Sequence, residues 1–202
     1  FYGLVAGGKM KMNYIVKGER VGFTELREEY VELYKDWIND LKVSQFISNF
    51  GNVLTDEAED DWYRSQAETD EPNFTIHHLS DDKPIGNCGI YNIDRGNDHA
   101  EIGILLGEKD YWNRGLGTEA VQLITDFGFT VLSLHSIDLR LKSFNDRARR
   151  AYEKVGYQVT GRVRDFYKVD GEYFDEIIMD ILREEFYESN KRLVKNQYLT
   201  GL

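Results

Sequence analysis

One cysteine in 202 residues, Cys88, leaves no partner for an internal disulfide and too few thiols for a cysteine-based metal site. Proline is almost as scarce. Pro72 and Pro84 are the only two, and neither stands in a linker-like stretch, so no domain boundary is marked. No internal repeat appears at any period. Positive charge is in deficit: 25 Lys and Arg stand against 36 Asp and Glu, a formal charge of −11. That balance argues against a protein that binds nucleic acid by neutralising phosphates and against docking on anionic lipid. No apolar run approaches the roughly 20 residues of a membrane helix. Residues 1–12 also lack the basic flank and long apolar stretch of a signal peptide. The expectation is a soluble protein of a reducing compartment, the cytoplasm.

Apolar residues are plentiful: 41% of the chain is hydrophobic and 13% aromatic, enough to pack a core and to exclude disorder. The opening FYGLVAGGKMKM reads as a leader or expression remnant, with Met10 or Met12 as the native start. Residues 13–186 read as one domain and residues 187–202 as a polar tail, and the polar stretch from Arg183 to Leu202 reads as either a last helix or disordered.

Along that domain the pattern is mixed α/β. A first strand is predicted at 20–26. Apolar residues at Tyr30, Leu33, Tyr34, Trp37, Ile38 and Leu41 give an amphipathic helix over 28–41. Thr55, with Asp56 and Glu57 behind it, starts a second helix to about 68. Three strands follow at 74–79, 84–93 and 100–106, joined by polar turns. A glycine-bearing turn at 114–117 opens a helix to about 131. Ile137, Leu139 and Leu141 alternate with polar residues in a further strand. Asn145 caps a short helix whose inner face holds Ala148, Ala151, Tyr152 and Val155, and Gly156 stops it. Strands at 158–168 and 172–182 close the order β-α-α-β-β-β-α-β-α-β-β, a single mixed, mostly antiparallel sheet flanked by helices.

The stretch WNRGLGTEA, 112–120, carries the most chemical information. Glycines just before a helix let backbone N–H groups approach an anion, and the helix N-terminus and Arg114 add positive charge. A P-loop would need Gly-Lys-Ser/Thr where Gly117-Thr118-Glu119 stands. The dinucleotide pattern does match at Gly115, Gly117 and Ala120, with Asp138 downstream for a ribose. Eight residues, however, separate Leu106 from Gly115, and no earlier strand–helix units build a doubly wound sheet. A plain strand-to-helix turn requiring positive φ is the bland alternative.

The same stretch resembles motif A of the GNAT superfamily of N-acetyltransferases, Gln/Arg-x-x-Gly-x-Gly/Ala, with Trp112 departing from the usual first residue. The run from Asn145 through Ala148, Tyr152 and Gly156 to Tyr157 resembles the family's second hallmark, N-x-x-A-x-x-x-Y-x-x-x-G-F/Y. The resemblance covers 14–186. It is nearest the branch holding spermidine N-acetyltransferases and ribosomal-protein amino-terminal acetyltransferases, of which 126–137 and 169–182 are typical. It implies a GNAT acyl-CoA N-acyltransferase fold, acetyl-CoA as co-substrate and no metal. Trp112, Asn113, Arg114, Gly115, Leu116, Gly117 and Thr118 would hold the diphosphate, while Ile104, Leu105 and Leu106 would pair with the pantetheine amides. Asn145 and Lys154 would add cofactor contacts, and Tyr152 would be the general acid.

Acetyl transfer needs a neutral amine and a protonated leaving thiolate. Deprotonating an alkyl amine of pKa ~10.4 near pH 7 costs about 4.6 kcal/mol, so burial or a nearby carboxylate contributes to the rate. Tyr152 suits the donor; its alternative is a core tyrosine. Glu101 is the first candidate for the base, against a solvated carboxylate or a water chain with no dedicated base. Arg140 stands where some relatives carry a glutamate. His77 and His78 alternate on a strand and share no metal spacing with His99 or His135. Cys88 reads as a small buried strand residue. Residues 21–71 hold 14 acidic against 4 basic residues, which suggests a small cationic amine such as spermidine, or a basic peptide end, as acceptor. The competing functions are a non-catalytic acyl-CoA-binding or sensing module, an amino-sugar or antibiotic N-acetyltransferase, and a nucleotide-cofactor oxidoreductase. Branch relatives often self-associate, so a homo-oligomer stays open.

Overall fold

The computed structural model describes residues 12–194 apart from 49 and 52. The expected leader, but for Met12, and residues 195–202 of the expected tail lie outside the described residues. The chain begins with a hairpin, β1 (Val16–Lys17) and β2 (Val21–Glu25), whose first strand is too short to leave a periodic signal. The helix expected over 28–41 is divided. A 3-10 turn at Glu28–Tyr30 leads into α1 (Val31–Asn39), and α2 (Leu41–Ser44) follows. The break falls at Asp40, which is extended (φ −77°, ψ 110°) and whose carboxylate accepts the Lys42 N–H to cap the new helix. Thr55 caps α3 (Asp56–Ser65), its hydroxyl accepting the Ala58 N–H at 3.2 Å.

The remaining elements are β3 (Asn73–His78), β4 (Lys83–Asp94), β5 (His99–Leu106), α4 (Leu116–Thr130), β6 (Ser136–Lys142), α5 (Asp146–Val155), β7 (Gln158–Val169), β8 (Glu172–Leu182) and α6 (Arg183–Ser189). The eight strands form one sheet in the order β1-β2-β3-β4-β5-β6-β8-β7. Every pairing is antiparallel except β5 with β6. That one parallel contact lasts only from His99↔Ser136 to Glu101↔Asp138. Beyond it β5 stays with β4 as far as Leu106↔Gly86, and β6 stays with β8 as far as Lys142↔Glu176. The long antiparallel ladders hold each strand to its own half, and the sheet opens between them.

The main core lies between the sheet and α4, where Ala120, Leu123, Ile124 and Phe127 meet Ile90, Ile102, Ile137 and Leu139. Each of the leucine, isoleucine and phenylalanine side chains contributes roughly 1.5–3 kcal/mol by leaving water. A smaller cluster of Tyr34, Trp37 and Val43, with Trp62, Leu105 and Trp112 against it, seats the first helices over the opposite face. The end of the chain belongs to the main core as well. Asp126, fully buried on α4, accepts from the Tyr187 hydroxyl at 2.8 Å and from the N–H groups of Leu193 and Val194 at 2.6 and 2.8 Å. Phe186 and Val194 are buried. Packing thus continues past residue 186 to Val194, because the Tyr187 hydroxyl and the Leu193 and Val194 amides join the Thr130 hydroxyl in satisfying the buried carboxylate.

Candidate active site

Where β5 and β6 part, a cleft of about 1000 Å³ opens. Glu101 stands at its apex, and Ile104, Leu105 and Leu106 line it along β5. Their backbone edge toward β6 has no ladder partner beyond Glu101. The chain then crosses the cleft mouth. Gly107 lies so close to Trp37 that a Cβ there would meet the indole at 2.1 Å. Trp112 donates its indole N–H to the Leu106 carbonyl at 2.8 Å. Asn113 (φ +59°) and Gly115 (φ +79°) turn the chain into α4. No side chain caps α4, so the first-turn amides of Leu116, Gly117 and Thr118 keep their donors free of a capping group at the mouth. Gly117 and Thr118 line the cleft, whereas the Leu116 side chain is core.

A brace from outside fixes this turn. Arg20 donates to the carbonyls of Arg114 (2.8 Å) and Gly115 (3.3 Å). The Glu119 carboxylate accepts from the backbone N–H groups of Glu19 and Arg20 at 2.8 and 2.7 Å and from the Arg20 guanidinium at 2.8 Å. Arg114 is exposed, stacks over Tyr111 at 5.3 Å and does not line the cleft. Another cation occupies that region: Arg147 of α5 lies 3.7 Å over the Trp112 ring and 5.2 Å over Phe46 and lines the cleft. It was missed in the sequence because it falls between the motif positions Asn145 and Ala148.

Asn145 caps α5, its side-chain oxygen accepting the Ala148 N–H at 3.2 Å, and it also lines the cleft, as does Lys154. Tyr152 is 6% exposed and packs edge-on against Tyr157 with ring centres 5.9 Å apart. It lines the cleft, and its hydroxyl makes no hydrogen bond among the described residues. Burial pushes its phenol well above the ordinary tyrosine range. Glu101 is half-buried and accepts from the Asn92 amide at 3.3 Å. Burial first, and the like charge of Asp138 second, raise its carboxyl. Arg140 lies 3.8 Å from Glu101 and donates to Glu176 at 3.1 Å. Glu176 is 3% exposed and also accepts the Tyr167 hydroxyl at 2.8 Å. Both Glu176 and Tyr167 line the cleft, and neither was singled out in the sequence. A glutamate inside the apolar run of β8 was the available signal.

Lys142, the last residue of β6, is buried at 3% exposure and lines the same cleft. Its ammonium donates to the Gln45 carbonyl at 2.9 Å and sits over the rings of Tyr167 and Phe50 at 5.0 and 5.3 Å. Of the acidic excess in residues 21–71, Glu59 is the one carboxylate among the described residues that lines the cleft. Others pair outward, Glu32 and Asp56 with Lys35 and Asp40 with Lys109. The expected acidic border of the acceptor pocket is thus a property of the outer helix faces, where solvation is cheapest. Cys88 is buried on β4 and His77 inside the sheet, where it meets Thr24 Oγ1 at 3.2 Å and the Asp82 carbonyl at 3.0 Å. Among the described residues no group of three His, Cys, Asp or Glu side chains is placed to hold a metal ion. No helix of the described residues is long and apolar enough to cross a membrane.

The model of the acetyltransferase (GNAT) domain family matches residues 20–158, well over half the chain, with both the glycine turn and the Asn145 helix inside the match. The chain belongs to this family. It is 34% identical over 113 residues to the uncharacterized N-acetyltransferase p20 of Bacillus licheniformis, covering 56% of this chain and 63% of the relative. It is 30% identical over 111 residues to the spermidine N(1)-acetyltransferase of Escherichia coli K12, covering 55% and 59%. The matches therefore span less than two thirds of either relative's length. The structure of spermidine N-acetyltransferase from Vibrio cholerae in complex with CoA and spermine superposes with a TM-score of 0.75 at 19% identity, over 83% of this chain and 98% of that one. That likeness establishes the GNAT fold, with its open, mostly antiparallel sheet.

Proposed function

We propose that the protein is an acetyl-CoA-dependent N-acetyltransferase that acetylates a primary amine by direct attack in a ternary complex. The observation that carries this reading is the parting of β5 from β6 with the uncapped first turn of α4 at its mouth. An extended acyl-carrying amide arm fits the free edge of Ile104 to Leu106, and a diphosphate fits the amides from Asn113 to Thr118. Arg147 and Lys154 add cations on the same wall, Arg147 supplying the charge that Trp112 lacks at its motif position.

In the reaction the amine nitrogen bonds to the thioester carbonyl carbon, the carbon–sulfur bond breaks, and the thiolate takes a proton from the Tyr152 hydroxyl. The amine's own proton leaves to Glu101, directly or through water, and burial with the nearby Asp138 makes Glu101 a stronger base than an ordinary glutamate. For the acceptor, Glu59 and Glu101 offer carboxylates to an ammonium; a polyamine and a peptide amino terminus both answer that description. Thermal denaturation with acetyl-CoA, then release of free thiol with a panel of amines, tests the reading. A ligand at a hundred times its Kd adds about 2.7 kcal/mol of stability, so acetyl-CoA should raise the Tm visibly while NAD should not. Protection by NAD alone, or protection by acetyl-CoA with no amine turned over, would replace the reading by an oxidoreductase or a sensing module.

A further inference from the structure

The β6 wall of the cleft holds a buried cation with no ion-pair partner among the described residues. Along β6, Asp138, Arg140 and Lys142 share one face, and the pairings set Glu101 beside Asp138 and Glu176 beside Lys142. At about 3.3 Å per residue Lys142 stands roughly 13 Å beyond Asp138, on the part of β6 that the departing β5 leaves open. Arg140 is shared between two carboxylates, Glu101 and Glu176. Both Glu176 oxygens are engaged, one by Arg140 and the other by the Tyr167 hydroxyl. Lys142 meets neutral groups: the Gln45 carbonyl from the turn after α2, the Tyr167 ring from β7 and the Phe50 ring. Among the described residues no acidic side chain forms an ion pair with it. A buried ammonium without a counter-ion is strongly unfavourable, and a methionine would fill the same space at no electrostatic cost. Burial depresses its pKa with no carboxylate to oppose the shift.

We propose that Lys142 is a specificity-determining residue that receives a carboxylate carried by the acceptor, so that the substrate is an amine bearing an acidic group rather than a polycation. This inference rests on the acyl-transfer reading above. The two walls of the cleft complement such a molecule, with Glu101 toward its ammonium and Lys142 toward its carboxylate in a charge-assisted hydrogen bond. A polyamine would instead bring a second ammonium against Lys142, and like charge at short range discriminates against it.

The probes are ω-amino carboxylates of increasing chain length and their carboxamides, assayed with acetyl-CoA on the wild-type protein, Lys142→Met and Lys142→Arg. At one or more lengths the wild type should prefer the carboxylate over its carboxamide by ten-fold or more in kcat/KM. The ratio should collapse toward one in Lys142→Met, through KM for the carboxylate, and return in Lys142→Arg. A carboxamide or a diamine preferred at every length by the wild type overturns the proposal, whether or not the methionine variant folds. So does a Lys142→Met ratio equal to the wild type's, the mark of a lysine that only holds the turn after α2. Equilibrium titration of the protein with the same carboxylates decides the matter separately from turnover. Binding lost in Lys142→Met supports the carboxylate site even where the failure of every amine to react withdraws the acyl-transfer reading, and binding equal in both proteins overturns it.

Discussion

Replacing Tyr152 by phenylalanine removes one oxygen and little else. The ring keeps its place, buried and edge-on to Tyr157, and no hydrogen-bond partner among the described residues is orphaned. The stability change should therefore stay within about 0.5 kcal/mol, and the Tm should move by no more than a few degrees. The chemical step is another matter. Loss of a positioned proton donor typically costs about 10²–10⁴ in rate, or roughly 2.7–5.4 kcal/mol of barrier at about 1.36 kcal/mol per decade. Two measurements on one variant thus diverge widely: kcat from free-thiol release falls by that factor, while the Kd for CoA from equilibrium titration stays within two-fold. The leaving group gives an internal control. An acetyl thioester of an aromatic thiol expels a weaker base that needs less protonation, so the defect should shrink with that donor. A kcat within three-fold of wild type, or an equal defect with both donors, would refute Tyr152 as the acid and leave it a core tyrosine.

Three further outcomes follow from the same geometry. Glu101 has a carboxyl raised by burial and by Asp138; kcat/KM should rise with pH along an acid limb displaced above the ordinary glutamate value of about 4.3. Glu101→Gln should abolish that limb and slow turnover about 10²-fold; an unchanged limb would assign the proton to water. His77, buried and held neutral, has its pKa lowered chiefly by desolvation. The unfolded chain therefore binds its proton first, and the stability that neutral His77 confers is complete above about pH 6.5 and drains away below it, by at most about 1.4 kcal/mol per pH unit; melting curves from pH 7.5 to 5 should steepen in wild type and flatten in His77→Gln. Arg147→Ala should weaken CoA binding by about ten- to a hundred-fold, the worth of about 1.5–3 kcal/mol for a charged hydrogen bond, and leave acetyl-pantetheine, which lacks the diphosphate, unaffected. Equal loss for both ligands would make Arg147 a packing residue on Trp112.

Local signals were readable from the chain alone: the Asn145 cap, the Gly156 stop, the alternation of β6 and the glycines before α4 each reside within a few consecutive residues. The unread features all depend on partners remote in sequence. Asp40 divides the first helix because its carboxylate finds the Lys42 amide, a choice that apolar spacing does not encode. Residues 187–194 look polar until Asp126, some sixty positions earlier, supplies the acceptor their amides need. Within the site, Glu176 and Lys142 face the cleft only because β8 and β6 pair in one register; a slip of one residue would turn both away. Arg20 braces the turn before α4 from almost a hundred residues upstream, and nothing near Arg20 in the sequence announces it.

The early divorce of β5 from β6 has a practical corollary. From Ile102 to Leu106, amides pointing away from β4 are answered by solvent until some guest lines up beside them. Their deuterium uptake is accordingly a site-resolved gauge of occupancy: fast in the bare protein, slowed in proportion to the fraction filled, and insensitive to ligands that stop at the entrance.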